Sequence, residues 1–116
     1  MNENNISDVI AALNDTITDR RINPAEGSYT CYLFEKGLDK ILKKVGEECS
    51  ETIIAAKNSA ANGNDELKNE VADLTYHLLV MMQCCDLSID EVADVLAERA
   101  KKQGNLKTFK TVDKNS

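Results

Sequence analysis

The sequence has no tryptophan, and its aromatic residues are limited to three tyrosines and two phenylalanines. Its core must therefore rest on Leu, Ile, Val, Ala and Met, a composition that favours helices over sheets. The chain also lacks a run of the roughly 18 to 20 apolar residues that a membrane span requires. Its N-terminus, MNENNISD, lacks the basic and apolar regions of a secretion signal. We therefore expect a cytoplasmic protein.

An excess of positive charge is also missing, because the net charge is -6. This balance argues against nucleic acid and anionic membranes as partners, since both bind clusters of Lys and Arg. A small anionic substrate would need a metal ion to offset its charge. The four cysteines show neither CxxC pairs nor zinc-ligand spacing, so we expect reduced structural thiols.

Apolar periodicity indicates an all-α fold. We predict helices over residues 5–20, 31–57, 65–85 and 88–104, separated by a turn-rich loop at 23–30 and a short connection at 58–64. A capping box, Ser88 with Glu91, announces the last helix. The expected architecture is an antiparallel helical bundle of about four helices in one domain, 1–104, completed by dimerisation because so short a chain buries a modest core. Residues 105–116 should form a polar, partly disordered tail.

Carboxylates in two of these helices suggest a metal site. Residues three apart lie on nearly the same helix face, so Glu48 with Glu51 and Glu70 with Asp73 form two pairs. The pairs are placed symmetrically about the connection between the helices, so they should face each other at one level. Both pairs flank apolar stripes, where unpaired charge is costly. A divalent cation would offset that cost, and oxygen ligands select hard ions such as Mg²⁺ or Mn²⁺. The alternative is ordinary solvated charge on an acidic protein.

Two further residues lie close to these pairs along their helices. His77, one turn beyond Asp73, could orient a carboxylate or touch a substrate, or it could simply be a packed helical residue. Lys44, one turn before Glu48, could meet a phosphate or could form a plain ion pair with Glu48. Lys36, Lys40 and Lys43 are expected to be solvated, although one or two of them could line a polyanion site.

Three segments together resemble the phosphoribosyl-ATP pyrophosphohydrolase family. They are PAEGSYT from Pro24 to Thr30, KGLDKILKKVGEECSE from Lys36 to Glu51, and EVADLTYH from Glu70 to His77. The EExxE and ExxD spacing alone marks only the wider group of all-α, MazG-like nucleotide pyrophosphohydrolases. The PAEGSYT loop and the KVGEE context narrow the resemblance to the histidine pathway.

The resemblance implies Mg²⁺-dependent cleavage of phosphoribosyl-ATP between its α- and β-phosphates by a homodimer, giving phosphoribosyl-AMP and pyrophosphate. Glu48, Glu51, Glu70 and Asp73 would be the metal ligands. Glu47 would orient or deprotonate the attacking water, although a helical projection points it outward. Substrate contacts would come from Lys44, Ser28, Tyr29, Thr30 and His77.

Two other functions fit the same pattern. A house-cleaning pyrophosphatase of this fold would act on another nucleotide, and would prefer ordinary dNTPs to phosphoribosyl-ATP. A non-catalytic helical interaction module would use the carboxylates only as surface charge. In that case Glu70→Gln would leave stability unchanged or raise it, and no hydrolysis would depend on it.

Overall fold

The computed structural model describes residues 4–104, and within that range the chain is helical with no strand. This confirms the all-α prediction. The elements are five helices: α1 (Ile6–Ile22), α2 (Tyr29–Lys36), α3 (Leu38–Asn62), α4 (Asp65–Cys84) and α5 (Ile89–Gly104). The predicted tail, 105–116, lies outside the described residues.

A break at Gly37 divides the predicted 31–57 helix into α2 and α3, so the prediction of one continuous helix there was wrong. Gly37 has φ 94° and ψ −176°, a conformation that a residue with a Cβ adopts only under strain. Its N–H donates to the Leu33 carbonyl over 3.0 Å, and its carbonyl accepts from the Ile41 N–H over 3.2 Å. The same glycine therefore ends one helix and begins the next.

The start of α2 also differs from the predicted boundary. Ser28 is its N-cap, and the Ser28 hydroxyl accepts a hydrogen bond from the Cys31 N–H over 3.2 Å. Tyr29 and Thr30, predicted as loop residues, thus form the first turn of the helix.

α3 and α4 form a helical hairpin. The predicted connection at 58–64 was too long, because α3 continues to Asn62 and only Gly63, with φ 78°, and Asn64 separate the two helices. The Thr52 hydroxyl lies 3.4 Å from the Glu70 carbonyl oxygen, so these residues stand at one level. That contact confirms the predicted register of the two helices, which decides how their carboxylates meet.

The hydrophobic core draws on the first four helices. Its fully buried side chains are Ile17, Leu33, Ile41, Leu79 and Val80. α5 begins with the predicted capping box, since the Ser88 N–H donates to Glu91 Oε2 over 2.9 Å. α5 has no buried residue, and it leaves Val95 and Leu96 exposed. No helix within residues 4–104 is long and apolar enough to cross a membrane.

Helix α3 buries only part of its apolar stripe, which runs through Ile41, Leu42, Val45, Cys49, Thr52, Ile53 and Ala56. Its buried residues are spaced seven apart: Ile41, Glu48 and Ala55. The stripe formed by Leu42, Cys49, Ile53 and Ala56 is exposed instead. Because α4 packs against only one flank of α3, the single chain buries the Glu48 carboxylate and leaves the apolar stripe from Leu42 to Ala56 exposed to solvent.

Candidate active site

Three glutamates meet between α3 and α4. Glu48, Glu51 and Glu70 each offer a carboxylate oxygen, and these atoms lie within 4.8 Å of one another. We call these three residues the carboxylate cluster. Asp73, predicted as a fourth member, is exposed and lies outside this group, yet its charge raises the pKa values of Glu48 and Glu70. The structure therefore brings together three of the four predicted metal ligands, and the fourth, Asp73, lies outside the group.

The cluster contains carboxylate oxygens that lack hydrogen-bond partners. Glu48 is only 6% exposed, and Oε2 of Glu48 and Oε2 of Glu70 are buried with no partner among the described residues. Burial raises the pKa of Glu48, and the charges of Glu51 and Asp73 raise it further, against smaller opposing effects of His77 and Lys44. Leaving such oxygens buried and unpaired costs free energy unless a proton or a cation binds them.

Glu70 is also a carboxylate whose surroundings disfavour its negative charge. A hydrogen bond with Glu51, partial burial and the charges of Glu51, Glu48 and Asp73 together raise the pKa of Glu70 to about 7. A carboxyl group with a pKa of about 7 is protonated in about half of the molecules at neutral pH. The cluster offers only oxygen atoms, which suit a hard divalent cation such as Mg²⁺. These residues therefore fit a metal ion that would replace the proton.

The raised pKa of Glu70 predicts a pH-dependent stability in the metal-free protein. An unfolded Glu titrates near 4.5 and the folded Glu70 near 7, so between these values the folded state binds more protons. The free energy of unfolding should therefore fall as the pH rises through about 7 and be fully recovered below about 4.5. Chemical denaturation in EDTA at pH 5, 6, 7 and 8 measures this.

Glu70→Gln isolates that effect from the other titrating groups. The variant's stability relative to the native chain should increase from pH 5 to pH 8, because glutamine carries no charge to repel Glu51. Saturating Mg²⁺ should remove the pH dependence from the native chain. A stability difference between Glu70→Gln and the native chain that stays constant from pH 5 to pH 8 contradicts the raised pKa of Glu70.

Lys44 lies beside the cluster, on the same helix. Its ammonium is 3.8 Å from Glu47 Oε1 and 3.9 Å from Glu48 Oε1, and its side chain is mostly covered. Glu47 itself is about half exposed and lies outside the carboxylate cluster. Lys44 thus stands between an inner and an outer carboxylate. Its predicted ion pair with Glu48 is present, and its contact with a phosphate stays a prediction.

His77 is buried behind a tyrosine. It is 5% exposed; Nδ1 lies 2.8 Å from the Asp73 carbonyl oxygen and Nε2 lies 3.0 Å from the Tyr29 hydroxyl. Because a carbonyl only accepts hydrogen bonds, Nδ1 carries a proton, and in the neutral imidazole Nε2 then accepts a hydrogen bond from the Tyr29 hydroxyl. In the structure the histidine therefore holds Tyr29 against α4. Its contact with a substrate stays a prediction.

The three predicted contact residues at the start of α2 all have partners within the chain. The Ser28 hydroxyl caps the helix, the Tyr29 hydroxyl binds His77, and the Thr30 hydroxyl lies 2.5 Å from the Tyr76 hydroxyl. Burial raises the pKa of Tyr29, the charge of Lys44 lowers it and that of Glu48 raises it. The first turn of α2 is thus electrostatically part of the same site as the carboxylate cluster.

Two residues that position this turn were missed from the sequence. Tyr76 packs edge to face against His77 with ring centroids 4.9 Å apart, besides its contact with Thr30. The Cys31 thiol accepts from the Ala25 N–H and donates to the Arg20 carbonyl, each over 3.3 Å. These contacts span up to 46 residues of sequence. No local pattern signals them.

Comparison with known proteins gives one consistent family. A family model described as phosphoribosyl-ATP pyrophosphohydrolase matches residues 10–100. A phosphoribosyl-ATP pyrophosphatase of Clostridium botulinum is 50% identical over 115 residues, covering 98% of this chain and 99% of that protein. One from Listeria welshimeri is 54% identical over 101 residues, covering 87% and 94%. The histidine biosynthesis bifunctional protein HisIE of Halalkalibacterium halodurans is 58% identical over 91 residues, which are 78% of this chain and 42% of that one.

Proposed function

Because the chain belongs to the phosphoribosyl-ATP pyrophosphohydrolase family, we propose that its carboxylate cluster, with Asp73, binds Mg²⁺ for the hydrolysis of phosphoribosyl-ATP. The enzyme hydrolyses phosphoribosyl-ATP at the α–β phosphate bond to phosphoribosyl-AMP and pyrophosphate, the second step of histidine biosynthesis. Mn²⁺ is a second ion that the same oxygen ligands would accept.

One observation carries the metal assignment. Glu48 Oε2 and Glu70 Oε2 are buried between α3 and α4 without hydrogen-bond partners, in a cluster of three carboxylates whose neighbouring ammonium is that of Lys44. Lys44 contacts Oε1 of Glu48, so Oε2 of Glu48 stays available. When bound, Mg²⁺ would offset the charge of the polyphosphate oxygens and lower the pKa of a bound water.

The protein's own groups would position the reactants around that ion. Lys44, with its ammonium at the edge of the cluster, would bind a non-bridging phosphate oxygen. Glu47 lies on the outer side of Lys44 and would accept the proton of the attacking water. Ser28, Tyr29 and Thr30 would contact phosphate or sugar oxygens, with Tyr29 held in place by His77.

We also propose a homodimer in the cytoplasm. The exposed stripe of α3, Leu42, Cys49, Ile53 and Ala56, is an apolar face that the single chain leaves uncovered. A second copy would remove this surface from water. The four cysteines are free thiols, as a reducing compartment favours.

The test of the function is pyrophosphate release from phosphoribosyl-ATP. We expect rapid release by the purified chain with Mg²⁺, complete loss with excess EDTA, and recovery when Mg²⁺ is added back. A panel of ordinary dNTPs at the same concentration serves as the control. Faster release from dNTPs would contradict the assignment and favour a house-cleaning pyrophosphatase. No release from any of these nucleotides by the folded native chain would favour the non-catalytic interaction module.

A further inference from the structure

Two lysines from different helices each lie close to one exposed tyrosine ring. Lys36 is the last residue of α2, and its ammonium lies 5.8 Å from the centroid of the Tyr32 ring. Lys40 belongs to the first turn of α3, and its ammonium lies 6.0 Å from the same centroid. These distances are within the range of cation–π attraction. We call Lys36 and Lys40 the lysine pair.

The break at Gly37 makes this meeting possible. In one straight helix, Tyr32 and Lys40 would be about 12 Å apart along the axis. The φ of 94° at Gly37 turns the chain between them, and the Lys40 ammonium reaches the ring. Among the ion pairs of residues 4–104, none involves Lys36 or Lys40. Both ammonium groups therefore lie within about 6 Å of the Tyr32 ring centre, and neither has an ion-pair partner among the described residues.

The lysine pair lies toward the N-terminal end of α3 from the carboxylate cluster. Lys40, Lys44 and Glu48 follow one another at four-residue steps on α3, so Lys40 and Glu48 are about 12 Å apart along the axis. The Tyr29 ring stacks near Tyr32, with centroids 6.1 Å apart, and the charges of Lys44 and Glu48 act on Tyr29. Two tyrosine rings therefore connect a metal and phosphate site to a second cationic site.

The substrate has matching chemistry, because its purine carries two phosphate-bearing arms. One ribose bears the triphosphate, and the second ribose bears a single phosphate. We infer that the lysine pair binds the single phosphate of the phosphoribosyl arm while the carboxylate cluster and Lys44 receive the triphosphate. This inference rests on the proposed function. It makes Lys36 and Lys40 the residues that distinguish phosphoribosyl-ATP from ATP, and Tyr32 the residue that positions them.

Steady-state kinetics of Lys36→Gln, Lys40→Gln and the double variant test the inference. Each substitution removes one charge-assisted hydrogen bond to phosphate, so KM for phosphoribosyl-ATP should rise about tenfold for each lysine. The value of kcat should stay unchanged, because the contact is equal in ground state and transition state. Inhibition by phosphoribosyl-AMP should weaken by the same factor, whereas inhibition by AMP, which lacks the arm, should not change.

Lys43→Gln is the matched control, since Lys43 is an exposed lysine of α3 outside the lysine pair. It should leave every constant at its native value. Tyr32→Leu should raise KM by losing the ring, and Tyr32→Phe should keep it native. Three results would overturn this inference and leave the proposed function standing. They are an unchanged KM in the double variant, an equal rise of KM in Lys43→Gln, and an equal weakening of inhibition by AMP. A native chain inactive on phosphoribosyl-ATP overturns the proposed function with it.

Discussion

Glu70→Gln should reduce the kcat/KM for pyrophosphate release from phosphoribosyl-ATP at least about 100-fold. Residues that merely support metal ligands already cost 10- to 100-fold when they are changed, and a direct ligand should cost more. Glu70 also supplies one of the two buried oxygens that have no partner. The measurement is kcat/KM at several Mg²⁺ concentrations, because loss of a ligand should shift the Mg²⁺ requirement upward as well.

Glu98→Gln provides the control for this variant. It makes the same chemical change on the exposed surface of α5, away from the cluster. Its activity and Mg²⁺ requirement should match those of the native chain. The metal-free Glu70→Gln protein should be at least as stable as the native one, since it loses a repulsive charge. Native activity in this variant would favour the reading of the carboxylates as surface charge.

The native chain should have twice its 12.8-kDa mass in solution, and Ile53→Glu should reduce it to one copy. Ile53 is 64% exposed in the centre of the uncovered α3 stripe, between Cys49 and Ala56. Burying an unpaired glutamate at an apolar interface costs several kcal/mol, enough to dissociate a dimer at micromolar concentration. Sedimentation equilibrium over a hundredfold concentration range measures both masses.

Ile22→Glu separates an interface effect from a general effect of added charge. Ile22 is 68% exposed, close to the exposure of Ile53, but it lies at the end of α1, off the stripe. This variant should keep the native mass. A native chain that sediments as a single copy would contradict the dimer, and dissociation by both variants would place the interface elsewhere.

Helical periodicity and spacing predicted much of the fold. α1, α4 and α5 lie within two residues of their predicted bounds, because each carries its own apolar pattern and a cap or a break at its ends. The division at Gly37 was missed because the apolar pattern continues through it. Whether a single glycine adopts positive φ depends on its packing, which periodicity does not report.

The site was predictable in part for a similar reason. Pairs at i and i+3 necessarily share a helix face, so the meeting of Glu48, Glu51 and Glu70 followed from spacing and a hairpin register. How deeply Glu48 is buried did not follow, because it depends on which flank of α3 receives α4. The contact of Tyr29 with His77 joins residues 48 apart, and it depends on tertiary packing alone.

The buried residues of α3, Ile41, Glu48 and Ala55, follow the heptad spacing of a coiled-coil seam with an acid in its centre. A purely apolar seam would hold the hairpin together by itself. Here the divalent cation that enables catalysis would also stabilise the packing of α3 against α4. In a cell short of that cation the enzyme would be both inactive and easier to unfold. Turnover of the protein by proteases would then follow the supply of its ion.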